Sequence, residues 1–515
     1  MLNKPVTTSR RLIHNTMLNI FALVITVFIS FSLIKFFMGR LGVHRYGIWV
    51  LIGSIFQYRM LLSLGLDSAI NRYIPVCIAN QDHKGIDRVI STSFYFSLVI
   101  SVVLACLSMV MYWKIGDWFI IRPELVSTTR LLVLIVGLSF ALIVPFQRSS
   151  AILSGLQRYD IKTMVEISLL LARTGLLVLL LRQGYGLLTM GLIFGGSEIL
   201  IRLLQFFFSR RLLPNTSISI KDFDFRLLKD MAAYGTNTIL YTMSAVILYK
   251  ASDIMIGIFL GTSQISQFSI ATAGVLLLTQ FVQVFSSAIK PAVSDLDARF
   301  ETDKVREISF LSQKYTLLML IPAACFFIVM GSDFLKVWMS DRIQDPAILQ
   351  QMGCILAIFT VAHGIRLTQY SNFIVLVGRG EHKMFGVFTL ITAALFVIIS
   401  VVCLKVFKMG LISVAWSNFV PVVLCSGILL QVYFNRKMQI RFKDTVSRVG
   451  IPAMLGTLPA IGLILIWKYV AAPDSWTKLV GVAITAAVAT VVASWFLAFS
   501  KVERQYFLRI VVKYK

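Results

Sequence analysis

The sequence predicts an all-α, polytopic integral membrane protein with about fourteen transmembrane helices. Three observations carry this prediction. Hydrophobic residues make up 57% of the chain and charged residues only 14%. Mean hydropathy is +0.82. Apolar runs recur along the whole chain, each close to the roughly 20 residues that one bilayer crossing needs. This composition excludes the soluble globular and the disordered classes.

The first apolar stretch, 13–38, is too long for a signal-peptide core and has no small-residue cleavage site behind it, so it is the first span. Further spans are expected at 46–78, 89–112, 127–153, 163–182, 187–208, 233–258, 266–290, 313–331, 349–376, 384–404, 410–434, 449–470 and 477–500. Several exceed the bilayer thickness, which implies tilt or extension into the cytosol. The longest outer loops, Trp113 to Val126 and Ser332 to Ala347, are too short for a catalytic domain.

An even number of spans puts both termini on one side. The 49 Lys plus Arg outnumber the 24 Asp plus Glu, and the loops on the terminal side hold Lys84, Arg88, Arg148, Arg158, Lys162, Arg210, Arg211, Arg436 and Lys437. The opposite loop Gly261 to Ile265 carries no charge. The positive-inside rule therefore places both termini in the cytoplasm. It also accounts for the basic excess without nucleic acid, since no basic run is interleaved with exposed aromatics. The six cysteines lie in or beside apolar segments and the five histidines are scattered. Neither set has metal-ligand spacing, and no phosphate-binding loop is present, so no metal, cofactor or catalytic residue is expected.

Internal repetition supports the count. Leu41-Gly42 and Leu260-Gly261 each follow the first helix of a group of six, and the same offset aligns Ala69-Ile70 with Ala288-Ile289. "FFSRR" at 207–211 echoes "YFNRK" at 433–437. The expected plan is a six-helix lobe over 1–215, a second over 216–445, and two additional helices with a basic tail over 446–515. Parallel repeats of this kind are related by an axis along the membrane normal, with helices one, two, seven and eight lining a cleft.

Charges inside the spans are the candidate site. They are Lys35, Arg59, Arg72, Arg173, Arg202, Lys250 and Arg366, against Asp67, Glu166, Glu198 and Asp253. Measured from Tyr46 at 1.5 Å per residue, Arg59 lies roughly 20 Å deep, near the bilayer centre. An arginine there costs about 2.5–3.5 kcal/mol even on lenient insertion scales, so it should face water or a partner. Lys35 and Arg72 are near enough to helix ends to snorkel. Glu198 and Arg202, four apart, form an intrahelical pair or line a ligand site. Glu166 and Arg173, seven apart on one face, either neutralise one another or bridge to a neighbour, and Lys250 with Asp253, three apart, are open to the same readings. Arg59 and Arg366 have no acid within one turn and are the best candidates for binding an anion. Polar stripes on the first helix (Asn15, Asn19, Thr26, Ser30) and the seventh (Tyr234, Asn237, Tyr241, Ser252) serve either as helix-helix contacts or as a substrate path.

At "LGVHRYGIWVL" (41–51), "LLSLGLDSAINRYI" (61–74) and "LSGLQRYDI" (153–161) the chain resembles the polysaccharide-exporter, O-antigen-type flippases of the multidrug/oligosaccharidyl-lipid/polysaccharide superfamily. Gly42, Gly47 and Gly155 in these motifs suit tight turns, and Arg158 with Asp160 suits a hinge or a salt bridge. The resemblance implies a non-enzymatic transporter in the bacterial inner membrane. Its cargo would be an oligosaccharide on undecaprenyl diphosphate, moved to the outer leaflet by alternating access for lipopolysaccharide or other surface-polysaccharide biosynthesis. It implies membrane lipids, and other polysaccharide-assembly proteins, as partners. The extra helices at 449–500 resemble the fourteen-helix lipid II flippases, in which they help form a groove for the lipid tail. Two alternatives stand beside it. A multidrug cation antiporter of the same superfamily would want acids in the lobes to bind cations or protons, and the first helix here has none while carrying Lys35. A membrane polysaccharide polymerase or ligase would want a large outer loop.

Overall fold

The computed structural model describes residues 8–62, 65–214, 216–287, 289–381, 383–470 and 473–505, with side chains at 8–24, 234–239 and some positions between 277 and 291 left aside. It divides into two units, 1–266 and 267–515. No strand occurs among the described residues.

The first unit contains α1 (Thr8–Leu41), α2 (Val43–Gln57), α3 (Arg59–Leu62), α4 (Leu66–Ala79), α5 (His83–Trp118), α6 (Pro123–Gly155), α7 (Tyr159–Arg182), α8 (Leu187–Leu212) and α9 (Phe225–Phe259). The next helix, α10 (Thr262–Ser287), begins in this unit. The second unit continues with α11 (Lys290–Ala298), α12 (Thr302–Met339), α13 (Pro346–Gly378) and α14 (Lys383–Val401). It ends with α15 (Ile412–Pro421), α16 (Leu430–Lys437), α17 (Phe442–Thr445), α18 (Ile451–Val470) and α19 (Trp476–Ala493). Helix α15 runs into α16 through a π-wound stretch, Val422–Leu429, that starts right after Pro421. Proline lacks the N–H for an i→i−4 bond, and a widened turn is a common accommodation.

Among the described residues eleven helices are long and apolar enough to span a bilayer, or twelve if α2–α3 and α4 count as one bent span. The other two expected spans coincide with α1, 34 residues long, and α10, 26 residues long, both of which include side chains left aside. The expected continuous helix over 46–78 is corrected. It is interrupted at Tyr58, and the arm Val43–Leu62 is inclined by 45° to Leu66–Ala79. Gly65 stands in the break at φ +67°, which a residue with a Cβ adopts only with strain.

Left-handed residues mark the repeat. Gly42 (φ +78°) and Gly261 (φ +99°) follow α1 and α9, and Gln81 and Phe300 stand at the same interval after α4 and α11. Gln157 and Gly380, then Gly184 and Lys408, recur at intervals only a few residues longer. Each pair ends corresponding helices, so both halves of the chain fold their hairpins with the same local geometry. The aligned pair Ala69-Ile70 and Ala288-Ile289 includes Ala288, which lies outside the described residues. Tyr234, Asn237, Asn15 and Asn19 of the polar stripes have side chains outside them as well.

Small residues permit close helix packing where there is no water to drive association. Gly47 lies against the backbone carbonyl of Thr262, where a Cβ would collide, and Gly137 lies against Ser108. Helix starts have side-chain caps: Asp82 accepts from Gly85 N, Asp224 from Arg226 N and Leu227 N, and Asp345 from Ala347 N. A core of Leu66, Ile70, Ile74, Val89, Ile152 and Met231 joins α4, α5, α6 and α9. In the second unit Met330 on α12 packs with Ala460 and Ile464 on α18 and with Val482 and Ala486 on α19, so the last two helices dock on α12. Meanwhile Val102, Leu142, Leu192 and Ile398 point outward. So much exposed apolar surface suits lipid and not water.

Candidate functional site

A charged cluster forms where α7 and α8 pack together. Arg173 Nη1 donates to Glu198 Oε1 at 2.9 Å and to Ser197 Oγ at 3.4 Å. Arg202 is 3.7 Å from Glu166 Oε1 and 3.9 Å from Glu198 Oε2. Its short hydrogen bond goes instead to Gln205 Oε1 at 2.7 Å, and Gln205 Nε2 donates to Glu166 at 3.0 Å. The expected Glu198–Arg202 pair is therefore present but loose. Of the two readings open to Glu166 and Arg173, the structure shows the bridge to a neighbour, since each finds its partner on the adjacent helix.

Arg59 is the first residue of α3, after the interruption at Tyr58 and before the bend at Gly65. Its guanidinium carbon lies 3.9 Å from the centroid of the Phe140 ring, and its Nη1 donates to Phe56 O at 3.3 Å. Arg173 stands 4.8 Å over Phe194, and the two phenylalanines meet edge to face at 6.3 Å. Two arginines thus lie on a continuous aromatic surface, which holds a guanidinium in low-dielectric surroundings without neutralising it. The buried Nε–H groups of Arg59 and Arg202 have no acceptor among the described residues.

Asp67, at the start of α4, pairs with a residue assigned to a cytoplasmic loop by its charge. Arg148 lies inside α6, almost fully buried, with Nη1 donating to Asp67 Oδ1 at 2.6 Å and Nε to Ser97 Oγ at 3.0 Å. Cytoplasmic loops collect basic residues, but this one belongs to a helix and has a dedicated acid. A polar cavity of about 250 Å³ opens beside the pair and is lined by Asp67, Asn71, Gln147, Lys162, Glu166 and Arg202.

Asp253 on α9 is buried, accepts from Ser54 Oγ at 2.7 Å, and has Lys250 Nζ at 4.0 Å. Lys35 is partly buried on α1, and Arg72 is exposed on α4. In the second unit Arg366 is buried in α13, one turn beyond His363, whose ring stacks on Phe359. Sequence reasoning missed Arg148, Phe140, Phe194, Ser97 and Gln205. Only Arg148 left a signal, as a charge in the otherwise apolar run before Gly155.

The turn Gln157 to Asp160 closes on itself: Arg158 Nε and Nη2 bind Asp160 at 3.0 and 2.9 Å. That is the salt bridge expected of this motif.

The second unit has an apolar cavity of about 760 Å³ between α10, α12 and α19, lined by Leu278, Leu318, Phe326, Ala486, Val491 and Phe499. At its edge Lys314 Nζ reaches Glu503 Oε1 at 2.6 Å, and Tyr315 OH donates to the same oxygen at 2.8 Å. Burial pushes the Glu503 carboxyl up, but hydrogen bonds from Lys314, the Ser500 backbone and hydroxyl, and Tyr315 outweigh it and hold the group below its ordinary value.

This architecture is similar to that of the lipid II flippase MurJ in an inward closed conformation, with TM-score 0.68, 16% identity, and coverage of 94% of this chain and 98% of that one. It is also similar to an inward-facing multidrug resistance MATE family transporter of the MOP superfamily, with TM-score 0.66, 16% identity, and coverage of 79% and 94%. Along nearly its whole length the chain is 21% identical to the uncharacterized membrane protein EpsK of Bacillus subtilis (strain 168), over 502 residues covering 95% of this chain and 96% of the relative. A family model described as polysaccharide biosynthesis protein matches residues 37–347, more than half of the sequence and the part that holds the arginine cluster. The chain belongs to this polysaccharide biosynthesis family of membrane proteins.

Proposed function

We propose that the protein is a flippase that carries an oligosaccharide linked to undecaprenyl diphosphate across the cytoplasmic membrane for surface-polysaccharide assembly, by alternating access. One observation carries this reading. Three arginines, Arg59, Arg173 and Arg202, are gathered in the first unit against two carboxylates, and two of their buried Nε–H donors lack acceptors among the described residues. A multiply charged anion rich in acceptor oxygens fits that surplus, and guanidinium groups match phosphate geometry. Cations would be repelled, which disfavours an antiporter of cationic drugs. Lys250 and Arg366 are proposed as further contacts along the path. The apolar cavity beside α19 suits a lipid tail.

The experiment is removal of the protein from its host. A lipid-linked oligosaccharide is expected to accumulate in the inner leaflet while surface glycan is lost. Normal delivery of that intermediate to the outer leaflet would overturn the reading.

The same reading places both termini and the loop around Ser217 in the cytoplasm. Ser217 is exposed and donates its backbone N–H to Asp87. A cysteine placed there is expected to resist an impermeant thiol reagent in intact cells and to react after permeabilisation. Efficient labelling of intact cells would invert the topology.

A further inference from the structure

We propose that Glu198 is a built-in counter-ion, a carboxylate that occupies the arginine cluster while it is empty and competes with the incoming diphosphate. The inference rests on the reading of that cluster as an anion site.

The geometry supports competition over simple ion pairing. Glu198 divides its two oxygens between two arginines, Arg173 at 2.9 Å and Arg202 at 3.9 Å, so neither guanidinium receives the bidentate contact that makes such pairs strong. One acid thus faces both of these cations, and Arg59 adjoins them through the edge-to-face pair Phe140–Phe194. Glu166, by contrast, is held by Gln205 at 3.0 Å and lies 3.7 Å from Arg202. Each cation also has a contact other than Glu198. Arg59 rests on Phe140, Arg173 on Phe194, and Arg202 is bonded to Gln205 at 2.7 Å. The set would therefore keep its shape when the carboxylate moves aside, and the Nε–H donors of Arg59 and Arg202, without an acceptor among the described residues, leave room for further acceptor oxygens.

Such a competitor has a physical use in transport. An all-cationic site in low dielectric would bind a diphosphate so tightly that release to the other leaflet would become the slow step. A resident negative charge weakens binding by like-charge repulsion and refills the site when cargo departs. Binding strong enough to load and weak enough to unload is the general requirement of a transport site.

The test uses the full-length protein in lipid nanodiscs at low ionic strength, titrated with inorganic diphosphate by calorimetry, with thermal unfolding of the empty protein recorded alongside. Glu198→Gln, which keeps volume and a hydrogen-bond acceptor for Arg173, is expected to tighten diphosphate binding by at least about tenfold, and to slow glycan export in cells. Arg59→Gln is expected to weaken binding. Glu198→Asp decides the matter if Glu198→Gln does not fold: a shorter carboxylate competes less well, so binding should again tighten. Unchanged or weaker binding in the folded Glu variant, with the parent protein still binding, overturns the counter-ion and leaves the anion site intact. No binding by the parent, or equal binding by parent and Arg59→Gln, overturns the anion site itself.

Discussion

Replacing Asp67 by alanine is expected to deplete the protein from the membrane, and adding Arg148→Met to the same chain is expected to restore most of it. The reason lies in an asymmetry of exposure. The Arg148 side chain is 5% exposed, whereas that of Asp67 is 40% exposed and borders the polar cavity. Removing the acid leaves a guanidinium buried in α6 with Ser97 as its other hydrogen-bond partner. An uncompensated buried charge costs about 3–5 kcal/mol, a large share of a typical folding free energy. Removing the charge as well takes away the penalty, since apolar replacement of a whole buried pair is often neutral. Membrane abundance and unfolding temperature of the two variants check this. Equal depletion in both would show that the loss comes from packing around Asp67 and not from the stranded arginine. Glycan export by the restored double variant separates two roles for Asp67. Retained export assigns it to structure, and lost export in a normally abundant protein assigns it to the transport cycle.

The Asp67–Arg148 pair also shows where sequence reasoning stops. Hydropathy locates spans because each must bury some 20 apolar residues in lipid, and this signal is independent of how helices pack. Leu41-Gly42 and Leu260-Gly261 were legible for a similar reason: positive φ is a local demand that glycine meets at little cost. The break between Gln57 and Leu66 was not, because an apolar run with one glycine is equally compatible with a straight transmembrane helix. Pairing was legible only within a helix. Spacing relates Glu198 to Arg202, which stand 3.9 Å apart, but says nothing of Arg173, which arrives from α7 at 2.9 Å. Phe140 and Phe194 were invisible as site residues, since phenylalanine in a lipid-embedded helix needs no further reason. Charge is costly in a membrane and therefore conspicuous in the sequence, while the groups that make the charge tolerable are ordinary residues brought there by packing.

Arg59→Gln should behave in the opposite way to Asp67→Ala, with normal abundance and export lowered by about tenfold or more. Arg59 has a carbonyl one turn back and the Phe140 face as its described contacts, neither of which carries a charge that its loss would strand. Glutamine keeps a donor for Phe56 O and removes the cation, so little folding free energy depends on the change. Transport is different. A hydrogen bond between a guanidinium and a phosphate oxygen contributes about 1.5–3 kcal/mol, which corresponds to roughly 10- to 100-fold in binding. Arg59→Lys should recover only part of it, because an ammonium offers a point charge in place of a planar fork and stacks less well on Phe140. Membrane abundance and surface glycan, measured together in the three strains, decide between the possibilities. Normal glycan at normal abundance in Arg59→Gln would remove Arg59 from the cargo path. Collapsed abundance would mean that the arginine is held for the fold, and that the aromatic surface beneath it, not an anion, is what balances its burial.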